Sequence, residues 1–172
     1  ALQLIQRSND ILEKYPDDNL SYVNAINLGN VQKKLGNNEE ALKYLEEALS
    51  LAEKLESANK IGDCMQNLAG FYQDLNQPEK SIPYLERALD LTEHTESVQQ
   101  LFEIHQMLYQ AYDMQGDKGK SLLHLKLTAQ YRDSVYKMEE VKALRELQTK
   151  YESEKKDKEL AQKDAEIAEE QL

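Results

Sequence analysis

Asn27-Leu28-Gly29, then Gly36-Asn37, then Ala41-Leu42-Lys43-Tyr44-Leu45-Glu46-Glu47-Ala48-Leu49 decide how this chain folds, because the pattern returns at a spacing of 40. The second copy reads Asn67-Leu68-Ala69, Asn76-Gln77 and Ser81-Ile82-Pro83-Tyr84-Leu85-Glu86-Arg87-Ala88-Leu89. A looser third copy carries Leu108, Tyr112, Gly116, Ser121 and Leu125. Self-similarity of this size marks a repeat array, in which each unit buries its apolar face only against its neighbours.

The unit is a pair of helices. Val23, Ile26, Leu28 and Val31 recur at helical spacing, and Gly36 then supplies a residue suited to the left-handed helix end. Asn37 with Glu40 reads as a capping box, and Ala41, Leu42, Leu45, Ala48, Leu49 and Leu51 form the inward stripe of the second helix. Gly36, Asn76 and Gly116 share one column, and all three residues tolerate positive φ. Ala41, Ser81 and Ser121 share another, where a large side chain would push the paired helices apart. Gly29 and Ala69 do the same work in the first helix, but Tyr109 breaks that column, so the third copy should be splayed or repacked there.

The register predicts an all-α, superhelical array of antiparallel helix pairs, with helices over about 1–14, 20–35, 38–56, 58–75, 78–95, 97–115 and 118–131. Ala1 and Leu2 fall in second-helix columns, so residues 1–130 are read as a half repeat plus three copies of a longer protein. Pro83 lies past the first turn of its helix and lacks an N–H, which predicts irregularity from Glu79 to Pro83. The second segment, 131–172, has neither Gly nor Pro and is expected to be one long helix. Its Val135, Met138, Val141, Leu144, Leu147 and Tyr151 are expected to cap the last repeat. Beyond them the charged run Glu152–Glu159 leads to a coiled-coil-like seam at Ala161, Ala165 and Ala168, suited to a weak homodimer. A charged helix that frays in water is the alternative for this tail.

Composition sets limits on partners. A formal net charge of -11 repels nucleic-acid backbones and anionic membrane surfaces. One cysteine, Cys64, excludes an intramolecular disulfide framework. No apolar run is long enough to span a bilayer, so a membrane enters only through segments outside this chain.

The repeated residues resemble the tetratricopeptide repeat family, through Asn27-Leu28-Gly29, Ala41, Tyr44, Leu45, Ala48 and Leu49 and their counterparts in copies two and three. The family's period is about 34, so a period of 40 implies longer helices and a deeper trough. Glu53, Glu93 and Asp133 stand where the family ends its helix with proline. The resemblance implies a partner protein or peptide held in a concave trough lined by first-helix columns. Carried over, the trough residues are Ile26, Asn30, Lys33, Lys34, Gln66, Gln73, Asp74, Gln106, Gln110 and Asp113. Amide side chains there both donate and accept, which suits peptide backbone, whereas Ile26, Gln66, Gln106 and Gln110 replace most of the groups with which the family holds a terminal carboxylate.

The tail Glu146-Leu-Gln-Thr-Lys-Tyr-Glu-Ser-Glu-Lys-Lys-Asp-Lys-Glu159 is similar to the segment after such arrays in bacterial membrane-bound sensor histidine kinases and related helix-turn-helix regulators. That resemblance implies a sensory region on the periplasmic side of an inner membrane. A cytoplasmic adaptor or peptide-binding regulator is the alternative.

Nothing in the residues points to catalysis, a cofactor or a metal. His94, His105 and His124 fall at no metal-ligand spacing with Cys64. His124 takes the packing column of Tyr44 and Tyr84, His105 lies inside a repeat helix, and His94 sits in a solvated linker. A phosphoacceptor role for His105 lacks the kinase context it would need.

Overall fold

The computed structural model describes residues 17–93 and 97–170, and side chains from 17–92, 97–158 and Leu160. The helix expected over 1–14, the His94 linker and the side chains of Ala161, Ala165 and Ala168 lie outside the described residues. Six α-helices and no strands are present among the described residues: α1 (Asp18–Leu35), α2 (Asn38–Lys54), α3 (Ala58–Asp74), α4 (Pro78–Glu93), α5 (Val98–Gln115) and α6 (Lys118–Glu170). First helices start at residues 18, 58 and 98, and second helices at 38, 78 and 118, so the structural period is the sequence period of 40. Consecutive helices from α1 to α5 pack on each other across short connections, which makes neighbours antiparallel. The backbone forms two compact units, Ala1–Tyr131 and Arg132–Leu172.

The turns show why the residue at each helix end matters. After α1, Gly36 has φ 79, its N–H bonds to Lys33 O, and the Asn37 N–H bonds to Gln32 O at 3.0 Å. This paired pattern satisfies carbonyls that a helix end would leave unbonded. Asn76 repeats it at φ 56 after α3, with its N–H on Gln73 O and the Gln77 N–H on Tyr72 O. Glu56 does the same after α2 at φ 50, with bonds to Glu53 O and from Ser57 N to Ala52 O. A left-handed glutamate was not foreseeable from composition, since Glu has no special tolerance for that conformation.

Caps differ in detail from expectation. Asp117 caps α6, accepting from Lys120 N at 3.0 Å, and Asp17 starts α1 early by accepting from Leu20 N at 2.8 Å. The capping box at Asn37 does not form. Its Nδ2 donates instead to Gln32 Oε1 at 2.8 Å, tying the turn back to the preceding helix. Pro83 does not interrupt α4, which runs unbroken from Pro78 to Glu93. Pro83 is exposed, and so is Glu79, whose carbonyl loses the missing bond, so water can replace it.

Among the described residues, three apolar clusters run through the array. Tyr22, Ala25, Ala48, Ala52 and Cys64 join α1, α2 and α3. Ala41, Leu45, Leu68 and Phe71 join α2 to α3. Met65, Ala69, Ile82, Leu85, Ala88, Ile104, Leu108, Ala111 and Tyr112 join α3, α4 and α5. Each cluster draws on successive helices, as an array requires when no single repeat can bury its own face. Leu45 and Leu85 are fully buried, but Leu125, in the same column, is exposed.

The final helix corrects two expectations. No break separates 118–131 from the tail, because after Gly119 nothing in the sequence ends a helix. Within residues 132–172 the expected stripe does not form one buried face: Met138, Val141, Leu144, Leu147 and Tyr151 range from 47% to 67% accessible, while Val135 is partly buried. The reason is geometric. Val135, Met138, Val141, Leu144 and Leu147 recur every three residues, and each such step falls back about 60° around a helix of 3.6 residues per turn. The apolar side chains therefore wind around α6 rather than lining one face.

Candidate functional site

The first helices are tied directly to one another. α3 contacts α5, Lys33 of α1 meets Asp74 of α3 at 2.9 Å, and Gln73 Nε2 donates to Met107 O of α5 at 2.8 Å. Their non-core faces carry the trough residues carried over from sequence: Ile26, Asn30, Lys33, Gln66 and Gln73 are partly buried, and Lys34, Asp74, Gln106, Gln110 and Asp113 are exposed.

Among the described residues, two clefts open on this surface. One, of about 360 Å³, is lined by Gln73, Asp74, Tyr109, Gln110, Asp113 and Met114. The other, of about 280 Å³, is lined by Tyr22, Ile26, Asp63, Gln66, Asn67 and Glu103. Six of the ten expected residues thus line clefts, while Asn30, Lys33, Lys34 and Gln106 line neither. Asn67 and Tyr109 are linings that sequence reasoning assigned to repeat columns, and Tyr22 is one it did not single out. Tyr109 carried the signal: an aromatic residue in the column of Gly29 and Ala69 is left partly accessible at the cleft wall.

Several polar groups are already committed. Asp113 accepts from Lys118 Nζ at 2.7 Å, and that ammonium holds its carboxyl below the usual carboxylate range. Gln73 spends one amide hydrogen on the Met107 carbonyl. In the second cleft, burial raises the Asp63 carboxyl, Gln100 lowers it by hydrogen bonding, and the neighbouring Glu103 raises it again. The arrangement offers amide and carboxylate acceptors beside the apolar side chains of Ile26 and Met114. It can hold an extended chain by its N–H groups and any cationic side chains.

Other chemistry-bearing residues lie in the core. Cys64 is buried, and burial pushes its thiol up to about 12, which removes thiolate reactivity near neutral pH. His105 is 4% exposed and His124 partly buried, and the two rings meet between α5 and α6. Among the described residues no group of His, Cys, Asp and Glu is placed to hold a metal ion, and no helix is long and apolar enough to cross a membrane.

The family model described as Tetratricopeptide repeat matches residues 21–94. No curated protein matches the chain.

Proposed function

We infer that the chain is a protein-interaction module built of tetratricopeptide repeats, since the model of that family matches residues 21–94 and the helix pairs repeat around them. From that premise we propose that the two first-helix clefts form one groove for an extended segment of another protein. The observation that carries this reading is the pairing of apolar side chains with acceptor-rich linings in both clefts, one toward the C-terminal ends of α3 and α5 and the other nearer the N-terminal ends of α1, α3 and α5. A net charge of -11 favours segments that bring cationic side chains. Random peptides selected by display on the folded chain test it. Their binding should weaken by about tenfold or more when Gln66→Arg and Gln110→Arg are combined, since both clefts are then obstructed. Selected peptides that bind this variant and the natural chain equally would place the interaction elsewhere.

The wider role proposed is that of a sensory region in a bacterial signal-transducing protein of the sensor histidine kinase type. The tail's similarity from Glu146 to Glu159 supports it, together with an α6 that continues helically from Lys118 to Glu170. Exposed apolar side chains on the tail suit a weak contact with a second copy. A cytoplasmic adaptor using the same groove is the competing role. The coding sequence flanking this segment separates them: a secretory leader upstream and an apolar span downstream belong only to the sensor.

A further inference from the structure

His105 of α5 and His124 of α6 bring their Nδ1 atoms to 3.0 Å, with ring centroids 5.2 Å apart. This is hydrogen-bond distance, and it sets a strict proton count. One Nδ1 must carry hydrogen and donate, while the other must be bare and accept. A first added proton can enter at an outer ring nitrogen without disturbing the bond. A second leaves two donors facing each other, so the bond is lost and two cations stand in contact.

The surroundings make the second proton costly. His105 stacks on Tyr131 of α6, and His124 stacks on Tyr112 of α5. The titratable and charged groups around the pair come from three helices. Glu86 of α4 accepts from the Tyr112 hydroxyl at 2.7 Å, and Lys120 of α6 sits over the Tyr112 ring, 3.4 Å from its oxygen. Burial lowers His124, with Glu86 favouring charge there and Lys120 opposing it, and burial together with His124 lowers His105 further. His124 is therefore the first to charge and His105 the last.

We propose that His105 and His124 form a proton-sensitive clasp that holds the start of α6, residues 118–131, against α5 and releases it under mildly acidic conditions. This inference stands apart from the groove. Burial and the neighbouring His124 lower His105 from its ordinary 6.5 to about 4. The docked form thus binds fewer protons than the released form between those values, so docking is complete above the ordinary pKa and is lost as pH falls below it. From His105 alone, the release equilibrium should rise about 20-fold between neutral pH and pH of about 5.

Backbone hydrogen exchange in the full chain reads this directly, with α2 as internal reference and intrinsic rates corrected. Protection of residues 118–131 relative to α2 should fall about 20-fold over that interval. In the His105→Gln/His124→Gln variant, which keeps hydrogen-bonding groups but cannot titrate, the ratio should stay flat. An equal pH response in both proteins would overturn the clasp. Imidazole resonances of the unmodified chain supply a measurement independent of the variant's folding. Both histidines titrating near their ordinary value, with α6 still docked, would overturn it as well.

Discussion

Gly29→Ala poses a test of how closely the first helix pair packs. A methyl built on Gly29 would lie 2.8 Å from Leu45 Cδ2 and 2.9 Å from Leu45 Cγ, and 3.4 Å from the Ala41 carbonyl oxygen. Leu45 cannot retreat easily, since it is fully buried among Ala41, Leu68 and Phe71. Two effects oppose each other. Replacing a mid-helix glycine by alanine gains about 1 kcal/mol of helix propensity. Overfilling a packed core costs about 1–3 kcal/mol, so a net loss near 1 kcal/mol is expected. Leu45→Ala alone should cost about 2–5 kcal/mol, but it removes both clashing carbons. In that background Gly29→Ala should stabilise by about 1 kcal/mol, which makes the coupling between the two sites about 2 kcal/mol. Urea unfolding of the four proteins, followed by far-ultraviolet circular dichroism, measures the cycle. If alanine stabilises both backgrounds equally, the close approach of α1 and α2 at Leu45 is wrong.

Ser81→Ala should stabilise the fold by about 1 kcal/mol in the same assay, because the Ser81 hydroxyl is buried and has no hydrogen-bond partner. Gln73→Ala should cost about 1 kcal/mol through loss of its bond to Met107 O, more than a purely solvated wall residue would, with Lys34→Ala as the near-silent comparison. Sedimentation of the chain with and without residues 152–172 should show weak self-association that disappears with the tail. A tight dimer surviving the truncation would move the contact onto the repeats.

What could be read beforehand was whatever repeats or obeys a local rule. Period, helix pairing and the left-handed ends at Gly36, Asn76 and Gly116 follow from backbone sterics and alternation of apolar columns. Leu45 and Leu85 were readable as core for the same reason. Leu125 was not, because burial of its column depends on a following first helix rather than on Leu125 itself. The tail misled through spacing: steps of three look helical in a list but drift around the cylinder when sustained. Among trough residues, columns placed Gln66, Gln73 and Gln110 at clefts. They could not show that Gln73 is already bonded to a neighbouring helix, since that partner is a backbone carbonyl 34 residues away and carries no sequence signature. The His105–His124 contact was hidden similarly, for each ring alone looked like ordinary packing.

The shared spacing of helix starts makes the molecule editable by whole layers. Ser57 precedes α3 and Ser97 precedes α5, both in extended backbone. Excising residues 58–97 would therefore splice Ser57 directly to Val98, with the same residue type and conformation at the junction. The outer face of α2 would then meet α5 instead of α3. Leu68 would be succeeded by Leu108 and Cys64 by Ile104, with little change in character. Phe71 would be succeeded by Ala111, and the lost ring would leave a hole beside Leu45. A shortened chain should thus assemble with its turns intact and one identifiable defect, which a single Ala111→Phe change would fill.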